Sequence, residues 1–237
     1  MKDETFIDKL LIILLIYPFG ISLLLILSLF RLLGIVNILN KERFPHNKGR
    51  LVVVSNHPSL LEPIIIPLLF YKEYLRHPFK LRPFSTPDKT NYYDKWYWYW
   101  LLRLTAIPID RGNRRSEVKA FRQMIDVINN KGIIIIFPEG GRTGKGKNFY
   151  YSEKGKKIRP LKQGIASLVS RTGSLVLFVW IDGAEKVMPI KKNKLYVWPR
   201  LGKIIIKIGK TIQFEKGINK EKALQKIQTN ILELADE

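Results

Sequence analysis

The apolar positions of this chain fall into one long run near the N-terminus and a series of short runs after residue 50. The long run covers residues 10–30 and contains no charged side chain. About 20 apolar residues are enough for a helix to cross the hydrocarbon core of a bilayer. Pro18 and Gly20 interrupt the run near its middle, where a proline removes a helical hydrogen bond and disfavours helix in the residue before it. The pattern therefore predicts a kinked membrane-spanning helix or a re-entrant helical hairpin.

Two other interpretations of this run, a cleaved signal peptide and a buried core helix, are less favoured. No small-residue cleavage site follows the run, and the residues before it carry no net positive charge. Several basic residues follow it: Arg31, Lys41, Arg43, Lys48 and Arg50. Because basic flanks tend to stay on the cytoplasmic side of a membrane, we expect the rest of the chain to lie in the cytoplasm. The predicted organisation is a membrane-anchoring helical segment at residues 1–44 and one globular domain at residues 45–237.

After residue 50, short apolar runs of strand length alternate with amphipathic helical patterns. Residues 133–136 are four consecutive isoleucines, which indicates a strand that is buried on both faces. Strand–helix alternation is typical of an α/β fold, a layered sheet flanked by helices. The predicted strands are 51–55, 81–85, 106–110, 132–137, 174–181, 194–199 and 203–208. The predicted helices are 59–71, 93–104, 115–130, 161–171 and 219–234.

Charge is the strongest signal in the composition. Lys and Arg number 41 against 20 Asp and Glu, and the net charge of +21 lies entirely after residue 34. An anionic partner is therefore expected, whether phospholipid, phosphorylated metabolite or nucleic acid. Cysteine is absent, which excludes disulfides, thiolate metal sites and a cysteine nucleophile. The three histidines, His46, His57 and His77, lack the spacing of metal ligands, so no metal site is predicted.

Two segments have compositions suited to a membrane surface. Seven of the ten residues at 91–100 are Tyr or Trp, which prefer the headgroup zone of a bilayer, although a stacked core helix is the alternative. Residues 142–162 carry eight basic side chains against Glu153 alone, enough to bind anionic headgroups, with a solvated charge run as the alternative. Residues 140–159 are rich in Gly and Lys and are predicted to form a long mobile loop.

The first candidate constellation directly follows the predicted strand 51–55. Asn56 and His57 come at its end, Ser59 is a plausible helix N-cap, and Glu62 follows five residues after the histidine. A carboxylate at that spacing can fold back onto the imidazole. Such a pair can act as a general base, because the ring accepts a proton and the carboxylate fixes its tautomer. The same spacing also fits a loop histidine beside an acid that the helix dipole favours.

Two further strand ends carry residues suited to an anion. Glu139, Gly140 and Arg142 follow the predicted strand 132–137, and ligands of open α/β sheets bind beyond the carboxyl ends of strands. Glycine allows close approach of the backbone, and Arg142 can hold a phosphate with two hydrogen bonds. Arg111 follows the predicted strand 106–110 and is a second candidate anion ligand. A Gly-rich turn and a solvated loop arginine are the alternatives.

Taken together, the ordered motifs of residues 45–210 resemble those of the glycerolipid acyltransferase family, which includes 1-acylglycerol-3-phosphate acyltransferases. The family's first block, Asn-His-x4-Asp, is matched by Asn56, His57 and Glu62. Its second block, a short strand ending in an arginine, is matched by residues 107–111.

The third block, Phe-Pro-Glu-Gly-Thr-Arg-Ser, is matched by residues 137–143, with Gly141 and Thr143 in place of Thr and Ser. The fourth, a Val-Pro-Val-like strand followed by a Gly and a later Pro, is similar to residues 176–189, with Phe178 in place of the strand's proline. The ordered set of blocks is more specific than any one of them.

The resemblance implies a membrane-bound enzyme that moves a fatty acyl chain from an acyl thioester to the free hydroxyl of a lysophosphatidic acid-like glycerolipid. Another lysophospholipid or glycerol-3-phosphate is the alternative acceptor. His57 and Glu62 are the implied catalytic pair, and the implied substrate-binding residues are Asn56, Arg111, Glu139, Gly140, Arg142 and Thr143. No cofactor is implied, since acyl-CoA or acyl-acyl carrier protein is a substrate. The implied partners are these substrates, anionic membrane lipids and, as one donor, acyl carrier protein.

Glu62 departs from the family's usual aspartate. Its extra methylene lengthens the reach to His57 by roughly one bond, and catalysis is sensitive to orientation at that scale. An active variant with a shifted backbone and a non-catalytic lipid-binding relative are both compatible with this change. A membrane-tethered nucleic-acid binder would account for the net charge of +21 but not for the ordered motifs, so no nucleic-acid partner is predicted.

Overall fold

The computed structural model describes residues 5–46, 48–76, 79, 81–189 and 200–237. In these residues a six-stranded sheet lies between two helical layers, which confirms the predicted α/β fold. The sheet contains β1 Val36–Leu39, β2 Leu51–Ser55, β3 Pro83–Phe84, β4 Ile133–Ile136, β7 Leu175–Asp182 and β8 Ile204–Gln213, and a separate hairpin contains β5 Tyr150–Tyr151 and β6 Lys157–Ile158. The α-helices are α1 Phe6–Leu11, α2 Tyr17–Leu32, α3 Glu62–Leu69, α4 Tyr71–Arg76, α5 Trp96–Thr105, α6 Arg114–Asn129, α7 Gln163–Thr172, α8 Ala184–Val187 and α9 Lys220–Asp236.

The order of the strands brings the predicted motifs together. The order is β1-β8-β7-β2-β4-β3, and neighbouring strands are parallel except for the antiparallel pair β7–β8. Strand β2 lies between β7 and β4, with Val53 opposite Leu177 on one side and Ile135 on the other. Because parallel neighbours end at the same edge, the residues that follow β2 and β4 meet there.

Both faces of the sheet are covered by apolar packing, as the continuously apolar strands predict. Successive side chains of a strand point to opposite faces. Val52 and Val54 therefore join one core with α6, α7 and α9, whereas Leu51 and Val53 join a second core with α2 and α3. All four of these β2 side chains are fully buried, so β2 is fixed from both faces.

The long apolar run forms one continuous helix, Phe6–Leu32, which is long and apolar enough to cross a membrane by length and composition. It consists of α1, a π-helical turn at Ile12–Ile16 and α2. Pro18 lies in the first turn of α2, directly after the π-helical turn, where the regular hydrogen-bond ladder is already interrupted. The chain does not reverse direction there, so the hairpin alternative is wrong.

One side of this helix packs against the rest of the chain. Ile12 and Ile16 form a small cluster with Tyr71 and Tyr74 of α4, and Leu27 joins the core that contains α3. Other apolar side chains of the helix remain exposed: Phe6, Ile7, Leu14, Leu25, Leu29 and Leu32. The predicted boundary at residue 44 follows β1, although β1 already pairs with β8 in the main sheet.

Two predicted strands are interrupted or shorter than expected. In residues 106–110, which the structure describes throughout, only single parallel bridges form, Ser85 to Ala106 and Asp88 to Ile109. Residues 105–109 exchange backbone hydrogen bonds with residues 85–89, but Pro87 has no N–H to donate to the carbonyl of Ile107. The ladder is therefore interrupted, and the predicted continuous strand is wrong. The predicted strand 81–85 is reduced to β3.

The prediction of a long mobile loop at residues 140–159 is also wrong. This segment contains a 3-10 turn at Thr143–Lys145 and the whole β5–β6 hairpin. The hairpin is attached to the end of α9, because Ser152 Oγ and Lys154 N donate to the Asp236 carboxylate at 2.6 and 3.1 Å. Sequence periodicity gives no signal for such a contact between residues more than 80 positions apart.

Other differences are smaller. Elements β1, α4 and α8 were not predicted from the sequence, and β8 extends five residues beyond its predicted end. Helix α3 begins at Glu62 rather than at Ser59, because Ser59 binds the Glu62 carboxylate in a turn before the helix. The predicted strand 194–199 lies outside the described residues.

Candidate active site

The candidate site lies at the sheet edge where β2 and β4 end. Asn56 and His57 follow β2, and Phe137 begins the segment that follows β4. The rings of His57 and Phe137 are stacked, with centroids 4.4 Å apart and planes inclined by 24°. An apolar ring therefore covers one face of the imidazole and fixes its plane.

His57 and Glu62 form the predicted pair. The distance from His57 Nδ1 to Glu62 Oε2 is 2.9 Å, and the Glu62 side chain is fully buried while 15% of the His57 side chain is exposed. A carboxylate at Nδ1 selects the tautomer with the proton on that nitrogen, which leaves the lone pair on Nε2. The longer glutamate side chain therefore reaches the ring at ordinary hydrogen-bond distance.

Ser59 holds the Glu62 carboxylate in place. Its backbone N–H lies 3.0 and 3.1 Å from the two carboxylate oxygens, and its hydroxyl donates to Oε1 at 2.7 Å. The same hydroxyl accepts a hydrogen bond from the N–H of Leu61 at 3.0 Å. A buried carboxylate requires such donors. Because Ser59 and its neighbours form this turn, α3 starts only at Glu62.

Glu139 connects three segments of the chain at the site. Its Oε1 accepts from His57 N at 2.9 Å and from Thr143 Oγ1 at 2.7 Å, and its Oε2 accepts from Arg159 N at 2.9 Å. The residue is 1% exposed. Burial raises the pKa of the Glu139 carboxyl above its ordinary value, against the opposing effect of these hydrogen bonds and of nearby His57.

The backbone of His57 is bound on both sides by the segment that follows β4. While Glu139 accepts from its N–H, the His57 carbonyl accepts from the N–H of Thr143 at 2.8 Å. Thr143 is buried, and its hydroxyl donates to Glu139. Glu139 and Thr143, predicted as substrate-binding residues, therefore fix the position of the histidine in this structure.

Asn56 continues the pairing of β2 with β7 through its side chain. Its Nδ2 donates to the carbonyl of Ile181 and its Oδ1 accepts from the N–H of Ile181, each at 2.9 Å. The amide is buried and both of its polar atoms are used. Asn56 thus fixes the chain immediately before His57.

The predicted arginines lie at the turn that follows Glu139. Gly140 has φ +68°, in the left-handed region that favours glycine, and its carbonyl accepts a hydrogen bond from Arg111 Nη1. Arg111 Nε lies 3.8 Å from Asp88 Oδ2, and half of the Arg111 side chain is exposed. Arg142 is half-buried, and among the described residues its guanidinium has no hydrogen-bond or ion-pair partner. The structure therefore brings Arg111 to the same turn as Arg142.

Sequence reasoning missed three contributors to this geometry. Phe137 was noted only as part of a motif, Ile181 only as part of a strand, and Arg159 only as one of eight basic residues. Phe137 contacts His57, Ile181 contacts Asn56, and Arg159 contacts Glu139. Each contact joins residues that are distant in sequence, so hydrophobic periodicity could not predict it. The assembled site combines an oriented histidine–carboxylate pair with guanidinium groups, an arrangement suited to deprotonating a hydroxyl close to an anion.

We predict that Glu139→Ala lowers the free energy of unfolding by about 2–5 kcal/mol, because it leaves buried donors without an acceptor. It should also lower turnover, since the His57 backbone loses one of its two attachments. Thermal or denaturant unfolding and rate measurements check both effects. The matched control is Glu153→Ala, an exposed carboxylate of the nearby hairpin, which should change stability by less than about 0.5 kcal/mol. Equal stability of the two variants would contradict the structural role of Glu139.

Comparison with known proteins places the chain in a family. A sequence model of the Acyltransferase family matches residues 35–182, more than half of the chain, and this range contains both halves of the histidine–carboxylate pair. A 1-acyl-sn-glycerol-3-phosphate acyltransferase of Chlamydomonas reinhardtii is 27% identical over 178 residues, 75% of this chain and 46% of the algal protein. The chloroplastic enzyme BAT2 of Brassica napus, with the same descriptive name, is 25% identical over 189 residues, 79% of this chain and 45% of that protein. The matched regions thus span less than half the length of these relatives.

A solved structure shows a similar fold. The crystal structure of the 1-acyl-sn-glycerophosphate (LPA) acyltransferase PlsC from Thermotoga maritima has a TM-score of 0.64 and 22% identity, and the match covers 100% of this chain and 83% of that chain. With the family match over residues 35–182, these findings show that the chain belongs to the Acyltransferase family.

Proposed function

We propose that this protein transfers a fatty acyl chain from an acyl thioester to the free hydroxyl of a lysophosphatidic acid-like glycerolipid. The observation that carries the proposal is the contact of His57 Nδ1 with the buried Glu62 carboxylate at 2.9 Å, next to the turn that holds Arg111 and Arg142. The names of the relatives, 1-acyl-sn-glycerol-3-phosphate acyltransferases, support this acceptor class.

The proposed reaction uses His57 as the general base. Nε2 takes the proton of the acceptor hydroxyl while that oxygen attacks the thioester carbonyl carbon. The tetrahedral intermediate then collapses, the carbon–sulfur bond breaks, and the sulfur leaves with the proton returned by the imidazolium. The products are an ester and a free thiol, and His57 is again neutral without an acyl-enzyme. Glu62 stabilises the transient imidazolium, and general-base assistance of this kind contributes about 10²- to 10⁴-fold.

In this proposal Arg111 and Arg142 hold the acceptor phosphate through their planar guanidinium groups. Gly140 forms the turn between them, while Asn56, Glu139 and Thr143 shape the site through the hydrogen bonds described above. The acyl thioester, on coenzyme A or on acyl carrier protein, is a substrate, and no further cofactor is part of the proposal.

We also propose that the protein is anchored in a membrane, with its catalytic domain on the cytoplasmic face. The support comes from the exposed apolar side of the helix Phe6–Leu32 and from the aromatic helix α5 beside it. Phe19 and Trp100 pack edge to face at 5.9 Å, and Arg103 forms an ion pair with Asp8 at 2.8 Å. Trp96 of α5 is almost fully exposed, as suits a ring in the headgroup zone. Basic side chains of residues 142–162 would bind anionic lipid headgroups.

The direct test is transfer of a labelled acyl chain by the purified full-length protein in neutral detergent micelles. Acyl-CoA and acyl-acyl carrier protein are compared as donors, and lysophosphatidic acid, other lysophospholipids and glycerol-3-phosphate as acceptors. We expect a phosphatidic acid-like product by chromatography. Absence of product with every donor–acceptor pair would favour a non-catalytic lipid-binding relative.

Glu62→Gln should reduce turnover by about 10²- to 10⁴-fold, because it removes the charge that orients and supports His57. Glu62→Asp should also reduce turnover, since the turn around Ser59 is formed around the longer side chain and a shorter one falls away from the ring. Single-turnover rates with lysophosphatidic acid measure the chemical step.

A second histidine–carboxylate pair, with a buried carboxylate and an exposed histidine, provides the control for Glu62. Glu73 is buried in α4 and contacts His46 Nδ1 at 2.8 Å, and His46 precedes β2 whereas His57 follows it. Glu73→Gln should therefore leave the single-turnover rate unchanged in protein that remains folded. Wild-type turnover of Glu62→Gln would remove Glu62 from the mechanism.

Leu25→Lys combined with Leu29→Lys should release most of the protein from membranes at high salt. These side chains are 65% and 51% exposed, so their replacement removes apolar contact with lipid without opening the core. At low salt, the basic surface should retain part of the protein, because salt screens that attraction. Val118→Lys, on an exposed part of α6, is the control. Full retention of the double variant at high salt would contradict the proposed anchor.

A further inference from the structure

Arg159 lies across two glycines of the segment that follows β4. A Cβ atom on Gly141 would be 2.7 Å from Arg159 Nη1, and one on Gly146 would be 2.7 Å from Arg159 Cγ. Both distances are shorter than real Cβ atoms adopt. The bare backbone at these positions therefore makes room for the Arg159 stem and guanidinium, and Gly141 stands where the glycerolipid acyltransferase family has threonine.

The backbone of Arg159 is fixed relative to the proposed general base. Its N–H donates to Glu139 Oε2 at 2.9 Å, and Oε1 of the same carboxylate accepts from His57 N at 2.9 Å. Ile158, the residue before Arg159, is fully buried in the core that contains α7, and this packing also holds the chain in place. Since successive residues of extended chain point in opposite directions, burial of Ile158 directs Arg159 towards the site.

Three arginines consequently belong to one turn, two of them with their guanidinium groups placed against it. Arg111 donates to the Gly140 carbonyl, Arg159 touches the position of Gly141, and Arg142 is the next residue along the chain. In the part of the chain that the structure describes, neither Arg142 nor Arg159 has a carboxylate partner. The oxygens of Glu139 already accept from other groups. Like charges held together in this way repel one another unless an anion binds between them.

We infer that Arg159 is a third ligand of the acceptor phosphate and that Gly141 is the position that admits it. The inference rests on the proposed function for the identity of the anion. Three guanidinium groups match a phosphomonoester, which carries about −1.5 to −2 at neutral pH, better than a phosphodiester with a single charge. Arg159 thereby favours a lysophosphatidic acid-like headgroup over headgroups in which the phosphate is esterified twice.

The test compares Arg159→Ala with the wild-type full-length protein. The variant retains the backbone N–H that donates to Glu139, so the position of His57 is preserved. We expect the KM for lysophosphatidic acid to rise about 10- to 100-fold, the loss of one charge-assisted contact, while the KM for the thioester stays within twofold. For a lysophospholipid with a phosphodiester headgroup the rise should be smaller. Lys119→Ala, which removes one exposed positive charge from α6, is the matched control.

Gly141→Ala tests the space that the arginine occupies. Its methyl group would displace the guanidinium rather than the backbone, so it should reproduce part of the Arg159→Ala effect and add nothing in the Arg159→Ala background. Gly164→Ala, at a position with open space around it, is the control. A further loss from Gly141→Ala in the absence of the Arg159 side chain would overturn this role of Gly141.

Binding of sn-glycerol 3-phosphate, measured by calorimetry in neutral detergent micelles, separates the inference from the proposed function. Wild-type binding that weakens about 10- to 100-fold in folded Arg159→Ala supports the anion site even if no acyl transfer is detected, in which case only the proposed function fails. If Arg159→Ala leaves both this affinity and the acceptor KM within twofold of wild type, the inference is overturned and the proposed function is unaffected.

Discussion

The hydrogen bonds of the buried Glu139 carboxylate are the interaction on which the geometry of the site depends. A carboxylate removed from water is unfavourable unless donors replace the water. Here the donors come from the segments of His57, Thr143 and Arg159, so three otherwise separate pieces of chain are held around one group. Glu139 closely follows β4, a strand that is buried in the sheet, so the backbone that carries this carboxylate is itself held in place. Displacement of any one segment therefore disturbs the other two.

The two buried carboxylates of the site act on different parts of the same residue. Glu62 contacts the imidazole of His57, whereas Glu139 accepts from its backbone. A second histidine–carboxylate contact, between His46 and Glu73, lies in a different setting. The nitrogen–oxygen distances of the two pairs are similar, 2.8 Å for His46–Glu73 and 2.9 Å for His57–Glu62. However, 64% of the His46 side chain is exposed, against 15% of the His57 side chain. What distinguishes His57 is its place at the carboxyl end of β2, stacked on Phe137 and next to the arginine-bearing turn.

Local patterns predicted the parts of the fold and site that depend on neighbours in sequence. Strand β2 was predicted at its observed bounds, and the contact of His57 with Glu62 follows from a spacing of five residues. The contact of Asn56 with Ile181 joins residues 125 positions apart, and that of Arg159 with Glu139 crosses a hairpin, so no periodicity reports either. Pro87 interrupts the ladder beside the predicted strand 106–110, whose apolar pattern was suitable, because an apolar pattern gives no information about backbone donors on the neighbouring segment.

The packing of α3 links the proposed chemistry to the proposed membrane surface. Helix α3 begins with Glu62, and its Ile65 and Ile66 share a core with Leu27 of the long apolar helix. The carboxylate that orients His57 is therefore on the same side of the sheet as the helix that would enter the bilayer. A lysophospholipid keeps its acyl chain in the membrane while its headgroup reacts. Under the proposed function, placing Glu62 and the anchor on one side of the sheet shortens the distance that the headgroup must travel to meet Nε2 of His57.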